Sequence, residues 1–593
     1  MFRLWNREKP MPLDPETFER CDFLPYHEGP YVLPHELLFH SLYNLAIGQN
    51  ATVIKDKNTG QTASHHQFLT DILSLRTKLR AELHPSTMQA LRDEREVSLL
   101  ILAAGYEFSV AFFAIQALGG IAVPCSPNIT VKEARHNAHT VRAHAIITNI
   151  NHEQLAHDVR QQSTTGVDIF KVVCSTPVMM SSLVDVDLVA FNSGRPPDQN
   201  KPALVIFTSG STGPPKGVAI RRYNLYATAR YIVDSMRIDQ NTNIIQFLPT
   251  HHATGLMVNT LPALVGGGCV EFSQGAFDAA KVWERFREGG LPTFSALPTI
   301  YVRLLKHWER VISKLPHEQA DSYRAAVSAI GSFHSSTSAL PRQVSMKWQE
   351  LTGKPITERY GGSEVGAVYS NVIGEPVVPG SVGKKHRLTE SKLSEGDHGE
   401  ILGRGPFVFM KYMYEPEATR RAFDKEGFYK TGDIARQEGG LYYIEGRSAI
   451  DSKLSLFVAR KVCFHSGLSS DSSQVIKSGG YKISALDVEA EVSSHPKVSE
   501  AIVVGIDDEE FGQRIAAAVV LHLASDTLTL ADVREWLRSR LSNYKLPSML
   551  RVVPELPKTP TFKVPKALIK KELFESGHPD VQTWSRSKRT AKL

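Results

Sequence analysis

A run of small hydroxyl residues and glycines follows a short apolar stretch in the middle part of the chain. The apolar stretch 204–207 is typical of a buried strand, and it leads into a turn made of Thr208, Ser209, Gly210, Ser211, Thr212 and Gly213. Glycines let the backbone approach a ligand and present consecutive N–H groups, the hydroxyls add donors, and Lys216 adds a positive charge. The stretch therefore predicts a loop that cradles phosphates. It differs from the Walker A loop because Pro215 precedes the lysine.

Two later stretches place a carboxylate beside an aromatic residue and glycines. In 358–366, Tyr360 could stack on a purine, Gly361 permits a tight turn, and Glu364 offers the hard oxygen ligand that Mg²⁺ prefers. In 428–433, Asp433 could accept hydrogen bonds from both hydroxyls of a ribose. Taken alone, each stretch is also compatible with an ordinary surface turn.

The bulk properties limit the classes of protein that fit. A chain of 593 residues exceeds one hydrophobic core, so at least two domains are expected. The net charge of +6 is spread thinly, and no basic block with interleaved aromatics predicts a nucleic-acid surface. Five scattered cysteines without a C-x-x-C pair favour reduced thiols inside a cell. The N-terminus lacks the apolar core of a signal peptide, and Glu107 interrupts the most apolar region, so neither a signal peptide nor a membrane span is expected.

Strand-like and helix-like patterns alternate along most of the chain. Apolar runs at 97–102 and 121–124 predict strands, and the residues between them, 106–118, predict a helix. This alternation predicts an α/β domain with a largely parallel sheet. A second, smaller unit begins near Lys477, with predicted strands at 498–506 and 515–523 and a predicted helix at 530–541.

The three stretches, in this order, resemble the motifs of the adenylate-forming (AMP-binding) superfamily, and the pattern is closest to the malonyl-type and medium-chain acyl-CoA synthetases. The resemblance extends from about residue 36 to 575. It implies a large N-terminal α/β domain with several subdomains, followed by a small mobile C-terminal α+β domain. The implied boundaries are an irregular segment 1–35, an adenylation domain 36–446, a hinge 447–476, a lid domain 477–578 and a tail 579–593.

The resemblance also implies a role for individual residues. Thr208, Glu364 and Lys563 would be catalytic, and Glu364 would also hold the metal. ATP or AMP would contact the loop Thr208, Ser209, Gly210, Ser211, Thr212 and Gly213, together with Lys216, Tyr360, Gly361, Ser363, Asp433 and Arg447. The acyl pocket would be bordered by His252, Gly255 and Pro298. CoA would pass Lys477, Gly479 and Gly480, and the C-terminal domain would swing about Asp451.

Two features depart from the family pattern. Residues 452–474 form a serine-rich insert in the hinge. One hypothesis is a retained intron, because Ser452-Lys453 and Gln474-Val475 can be encoded with splice-donor and splice-acceptor sequences; the other is a genuine surface loop, whose closure costs little extra free energy. Phe562 occupies the position where the family has a glycine before the catalytic lysine.

The resemblance implies an ATP-dependent acyl-CoA ligase that uses ATP, Mg²⁺ and coenzyme A to activate a carboxylic acid in fatty acid or secondary metabolism. The chain length of the acid is left open. Two alternatives are an adenylating enzyme that loads a carrier protein, and an inactive relative that serves as a binding protein. The C-terminal residues Ala591, Lys592 and Leu593 are a variant of a peroxisomal address, which predicts an import receptor as partner and a peroxisomal, otherwise cytoplasmic, location.

Overall fold

The computed structural model describes residues 29–48, 51–161, 171–174, 183–192, 197–208, 214–273, 277–337, 340–372, 374–386, 389–447, 475–523, 525–557, 566–574 and 578–584. Helices and strands alternate through most of these ranges, and a small domain follows a large one. The expected fold class, a large α/β domain with a small C-terminal α+β domain, is confirmed. None of the helices in these ranges is both long and apolar enough to cross a membrane.

The strands of the first part of the chain belong to three sheets, one of which is a short pair of its first and eighth strands. The strands are β1 (Val32–Leu33), β2 (Thr52–Asp56), β3 (Gln61–Ser64), β4 (Ser98–Leu102), β5 (Ile121–Pro124), β6 (Ala145–Thr148), β7 (Lys171–Cys174), β8 (Ala190–Phe191), β9 (Pro202–Thr208), β10 (Lys216–Arg221), β11 (Asn243–Gln246) and β12 (Cys269–Phe272). The helices are α1 (Leu37–Gly48), α2 (His65–Glu82), α3 (Pro85–Arg92), α4 (Gly105–Ala117), α5 (Val131–Thr140), α6 (Glu153–Gln161), α7 (Arg222–Met236) and α8 (Leu261–Gly266). A π-helix, Thr254–Thr260, precedes α8.

The second part adds two more sheets to the large domain. Its strands are β13 (Thr293–Ala296), β14 (Ser332–Ser335), β15 (Ile356–Gly362), β16 (Gly366–Ser370), β17 (Lys384–Lys385), β18 (Glu390–Glu395), β19 (His398–Arg404), β20 (Lys411–Tyr412), β21 (Tyr429–Glu438) and β22 (Leu441–Arg447). Its helices are α9 (Ala279–Arg287), α10 (Pro298–Arg310), α11 (His317–Ala329), α12 (Arg342–Thr352) and α13 (Pro416–Ala422).

The C-terminal domain begins at β23 (Val475–Ser478). It continues with β24 (Tyr481–Ser484), α14 (Ala485–Ser493), β25 (Val498–Asp508), β26 (Gly512–Leu521), α15 (Leu530–Arg538), β27 (Met549–Val552), α16 (Lys566–Leu573) and β28 (Gln582–Thr583). Its single sheet has the order β24-β23-β26-β27-β28, with β25 also paired to β26. Ile476 and Val503 belong to the core on one face, and Ile502 and Val504 pack with Ile569 of α16 on the other.

The central sheet of the large domain has the order β20-β10-β9-β5-β4-β6-β7. The pairs between β9 and β7 are parallel, whereas β10 pairs antiparallel with β9 on one side and with the edge strand β20 on the other. Every residue of β4 is buried because helices cover both faces of a parallel sheet, which explains its continuous apolar sequence. Phe68, Phe112 and Phe113 pack together on one side of this sheet.

Candidate active site

The predicted phosphate loop connects two antiparallel strands. Thr208 ends β9 and Lys216 starts β10, and these two residues are register partners across the hairpin. The side chain of Thr208 donates a hydrogen bond of 3.0 Å to Oε1 of Glu364, which lies in the turn after β15. The hairpin and the second motif therefore meet, and Lys216 Nζ lies 5.1 Å from the centre of the Tyr412 ring on the neighbouring strand β20.

The second and third motifs meet through a side-chain hydrogen bond. The hydroxyl of Tyr360, on β15, donates to Oδ2 of Asp433, on β21, at 2.8 Å. The Tyr360 ring also stacks on Tyr369, with centroids 5.8 Å apart, and Tyr369 stacks on Tyr442 at 4.0 Å. This ladder of rings fixes the plane of Tyr360, so its orientation is set before any ligand arrives.

The position after Tyr360 has room only for glycine. A Cβ on Gly361 would lie 2.2 Å from the carbonyl oxygen of Gly366 on the adjacent strand. Ser363 and Glu364 follow in the turn that joins the two strands. In the third motif, Asp433 is register partner of Arg447, so the two predicted nucleotide-binding positions lie on neighbouring strands.

The predicted acyl-pocket residues begin at the end of β11. The rings of His251 and His252 are 4.5 Å apart, and their buried Nε2 atoms have no hydrogen-bond partner in the described part of the chain. Burial lowers the pKa of His252 to about 4, so this imidazole is neutral at physiological pH. A Cβ on Gly255 would lie 2.1 Å from the carbonyl oxygen of Pro249, which explains the glycine. Pro298 is buried at the start of α10.

One partly buried cationic side chain in the second motif was missed by the sequence analysis. Arg359 precedes Tyr360 on β15, and in the described ranges no hydrogen bond or ion pair joins its guanidinium to a carboxylate. Burial lowers the pKa of Arg359, and burial together with the charge of Arg359 lowers the pKa of His386 to about 4. The ring of Tyr231 lies 4.2 Å from that of His386, and α7, which carries Tyr231, packs against the π-helix after His252. The signal was present in the motif, since Arg359 is the residue before the tyrosine.

The turn between β23 and β24 of the C-terminal domain approaches His252 and Leu297 of the large domain. Tyr481 lies 5.2 Å from His252, ring to ring, and a Cβ on Gly480 would lie 2.3 Å from Cδ1 of Leu297. Gly479 and Gly480 both have positive φ, of 58° and 85°. The backbone N–H of Lys477 donates to Oε1 of Gln513 at 2.9 Å, which fixes the start of the turn.

The structure thus joins Thr208 to Glu364 and Tyr360 to Asp433, and it places Tyr481, which follows the turn Gly479–Gly480, against His252. The predictions for Ser209, Gly210, Ser211, Thr212, Gly213, Asp451, the insert 452–474, Phe562 and Lys563 lie outside the described residues. For Arg447, only the backbone belongs to the described part. The described ranges contain no group of three or more His, Cys, Asp or Glu side chains that could hold a metal by themselves.

Comparisons with known proteins agree with this geometry. The family model for the AMP-binding enzyme matches residues 88–413, and that for the AMP-binding enzyme C-terminal domain matches residues 487–563. The mitochondrial malonate–CoA ligase ACSF3 of Bos taurus is 31% identical over 524 residues, which cover 83% of each chain. Its Homo sapiens counterpart is 31% identical over 525 residues, covering 82% of this chain and 84% of its own. A solved malonyl-CoA ligase, in a ternary product complex with methylmalonyl-CoA and AMP bound, is 25% identical and aligns with a TM-score of 0.68 over 86% of this chain and 97% of that chain.

This chain belongs to the AMP-binding enzyme family. Within it, the protein is an ATP-dependent acyl-CoA ligase: it activates a carboxylic acid as an acyl-adenylate and transfers the acyl group to coenzyme A. ATP and CoA are therefore its cosubstrates. The sequence resemblance to the malonyl-type acyl-CoA synthetases is confirmed.

The predicted cellular location is wrong. The Bos taurus and Homo sapiens relatives, each covered over more than four-fifths of its length, are mitochondrial proteins, which contradicts the peroxisomal location and its cytoplasmic alternative. The physical reason is that three C-terminal residues carry little information, and a small-basic-leucine ending arises readily by chance. The import receptor was expected only because of the peroxisomal location, so it is not supported either. The residues that suggested it, Ala591, Lys592 and Leu593, lie outside the described ranges.

Proposed function

We propose that the acid is a short dicarboxylic acid of the malonate class. The observation that carries the proposal is the partly buried guanidinium of Arg359, which has no carboxylate joined to it among the described residues. An unpaired buried charge is unfavourable, and a carboxylate supplied by the substrate would restore the balance. The relatives named as malonate–CoA ligases support the same class of substrate.

The position of Arg359 suits the far carboxylate of such a molecule. The guanidinium lies in the environment of Tyr231, His334 and His386, and burial keeps both histidines neutral. A guanidinium can bind a carboxylate through two parallel N–H···O bonds, which selects for a planar anionic group.

For the adenylation step, we propose that ATP lies along the line of contacts from Lys216 to Asp433. The loop Thr208–Gly213 and Lys216 would hold the phosphates, Ser363 would lie near the α-phosphate, and Tyr360 with Gly361 would contact adenine. Asp433 and Arg447 would contact the ribose. Support comes from the hydrogen bonds Thr208–Glu364 and Tyr360–Asp433, which join three separate motifs into one surface. An acid oxygen attacks the α-phosphorus, and pyrophosphate leaves with the electrons of the broken P–O bond.

Magnesium fits this site as a partner of the phosphates. Glu364 and Thr208 contribute adjacent oxygen atoms, and Mg²⁺ is commonly held by one or two carboxylates together with substrate phosphates. When bound, the ion would offset negative charge on the phosphate oxygens. Glu364 itself orients Thr208, because its carboxylate accepts a hydrogen bond from the Thr208 hydroxyl.

For the thioester step, we propose that the C-terminal domain turns about the hinge near Asp451 after adenylation. Lys563 would serve the first step, and the turn Gly479–Gly480 with Lys477 would line the path of CoA in the second. Support comes from the close approach of Gly480 to Leu297 and of Tyr481 to His252. His252, Gly255 and Pro298 would border the acyl group. Alternating positions of a domain are a common way to order two half-reactions.

The substrate proposal is tested by comparing acids of different charge. Pyrophosphate exchange and CoA-thioester formation are measured with malonate and with propionate, for the wild type and for Arg359→Met. Removing one partner of a buried charge pair costs about 3–5 kcal/mol, so kcat/KM for malonate is expected to fall by roughly 10²–10⁴-fold. Propionate activation should change by no more than about threefold, a range within which surface or apolar changes usually fall.

Arg342→Met is the matched control, because Arg342 is exposed at the start of α12. It should leave both acids unaffected. Equal losses for malonate and propionate in Arg359→Met would show that the arginine serves the fold and not the far carboxylate. Exchange with propionate but none with malonate in the wild type would overturn the substrate class while leaving the ligase activity in place.

A further inference from the structure

A largely buried ion pair joins the two domains. Glu133, in the first turn of α5, accepts hydrogen bonds from Lys545 Nζ and Ser542 Oγ of the C-terminal domain, each at 2.5 Å. The side chains of Glu133 and Lys545 are only 16% and 8% exposed. Burial alone would lower the pKa of Lys545, but its interactions with Tyr544 and Glu133 outweigh burial and raise that pKa. The pair is therefore charged and shielded from solvent.

This pair is connected to the turn that enters the active site. Tyr544 precedes Lys545, and its ring stacks on Tyr481 with centroids 4.1 Å apart and planes 15° apart. Tyr481 contacts His252 and follows Gly480, which packs against Leu297. A short series of direct contacts thus runs from Glu133 to the acyl pocket.

In the domain orientation that contains this ion pair, the turn Gly479–Gly480 lies against Leu297 and His252 of the large domain. The segment with Lys563 precedes α16, and α16 packs on the opposite face of the C-terminal sheet from Ile476 and Ile483 of the turn strands. A rotation that exchanged these faces would separate Glu133 from Lys545 and return both charges to water. The ion pair contributes only to the present orientation, and a contact present in one of two states shifts the population toward that state.

We infer that Glu133 and Lys545 form a latch that positions the C-terminal domain for thioester formation. In that half-reaction the CoA thiol gives its proton to solvent, its sulfur forms a bond with the acyl carbon, and AMP leaves with the electrons of the broken C–O bond. Glu133 and Lys545 take no part in these bond changes. The inference rests on the proposed rotation of the domain and is independent of which acid is activated.

The test separates the two half-reactions in the full-length protein. Adenylation is measured as ATP–pyrophosphate exchange with the acid that the wild type activates best. Thioester formation is measured by preforming the acyl-adenylate and adding CoA in a single turnover. The variants are Glu133→Gln, Lys545→Met and the double variant. Glutamine at 133 can still accept the backbone hydrogen bond that caps α5 at Thr130, so the helix is preserved.

Each single variant removes one of the two opposite charges of this ion pair, and this loss is felt only in the latched orientation. Thioester formation is expected to fall by about tenfold or more, with exchange within about twofold of wild type. The double variant removes both groups, so it should be no slower than the slower single variant. The control is Glu509→Gln at the same domain interface, because Glu509 is 93% exposed and lies 3.9 Å from Lys306. It should leave both half-reactions unchanged.

Three results would overturn the latch: equal loss of both half-reactions, no loss of thioester formation in either single variant, or losses that multiply in the double variant. The orientation of the C-terminal domain can also be measured without any reaction, as the distance between two nitroxide labels. The labels are placed at the exposed positions Gln319, in the large domain, and Glu535, in the C-terminal domain. Lys545→Met should broaden or shift the main distance of the wild type. An unchanged distribution contradicts the latch even if no acid supports exchange, so failure of the proposed function and failure of the latch remain distinguishable.

Discussion

Thr208 and Glu364 are 156 positions apart in the chain, yet the hydroxyl of Thr208 donates a 3.0 Å hydrogen bond to the carboxylate of Glu364. This contact joins the end of a central strand to the turn of a different sheet. It brings a hydroxyl and a carboxylate together, and Lys216 is the register partner of Thr208 across the hairpin. The chemistry proposed for ATP depends on this meeting point.

Replacing Glu364 by glutamine tests that dependence. Glu364→Gln keeps a hydrogen-bond acceptor for Thr208 but removes the negative charge proposed to hold Mg²⁺. Pyrophosphate exchange is expected to fall by about 10²–10³-fold, the usual effect of losing one group that stabilises a transition state. Raising the Mg²⁺ concentration should recover part of the activity. Glu375→Gln, in an exposed ion pair with Lys384, is the control and should behave as wild type.

The bond between Tyr360 and Asp433 predicts two effects of different size. Asp433→Asn removes a charged acceptor at the proposed ribose site, so the KM for ATP should rise by roughly 10–100-fold. Tyr360→Phe keeps the ring stacked on Tyr369 and loses only the hydroxyl, so the KM should rise by about threefold. Asp234→Asn, in an exposed pair with Arg230, provides the control. A larger effect for Tyr360→Phe than for Asp433→Asn would contradict the assignment.

Glu358 predicts how stability depends on pH. This carboxyl is 5% exposed, and burial raises its pKa from 4.5 to about 7 despite the backbone N–H of Leu340 that bonds to it. Between these two values the folded protein holds a proton that the unfolded chain has lost. The contribution of Glu358 to stability is therefore full below pH 4.5 and disappears as the pH rises through 7.

Glu358→Gln mimics the protonated side chain at every pH. Its stability relative to wild type should increase by about 2 kcal/mol between pH 5.5 and pH 8, measured by denaturant unfolding at both values. Glu350→Gln, at an exposed position of α12, should show no such change. A constant difference between Glu358→Gln and wild type across this range would mean that Glu358 titrates normally.

Gly480 predicts a defect confined to the thioester step. In Gly480→Ala the new methyl group would meet Leu297 at 2.3 Å, and the residue would keep a φ of 85°. Thioester formation from preformed adenylate should fall by about tenfold or more, since close contact and backbone strain together cost at least 1–3 kcal/mol. Pyrophosphate exchange should be retained, because the clash exists only when the turn faces the cleft.

Gly440→Ala is a control that separates the effect of the steric contact at Gly480 from the effect of a strained positive φ. Gly440 has a φ of 78° in the hairpin between β21 and β22, and its added Cβ would meet nothing within 4 Å. This variant should lose about 1 kcal/mol of stability and no thioester activity. Equal defects in both variants would assign the effect to backbone conformation alone.

Local sequence was sufficient for the elements and for the motifs as separate units. The continuous apolar run at β4 predicted a buried parallel strand, because such strands are covered on both faces. The glycines beside Tyr360 predicted a tight turn, and the structure shows why, since Gly361 has no room for a Cβ. Boundaries were less well predicted: the helix expected to reach residue 541 ends at Arg538.

Local sequence patterns did not predict the long-range contacts. Arg359 was passed over because one arginine in a strand has no periodicity that marks it as facing a pocket; only the neighbouring Tyr231, His334 and His386 distinguish it. The ion pair of Glu133 with Lys545 was equally hidden, since charged residues on amphipathic segments are usually exposed to solvent.

The sequence by itself determined the family, the order of the motifs and the class of reaction, because these depend on residue types at fixed local spacing. The tertiary structure decided which side chains meet: Thr208 with Glu364, Tyr360 with Asp433, and Tyr481 with His252. The physical reason is that such contacts depend on the packing of strands far apart in the chain, and no local preference encodes that packing.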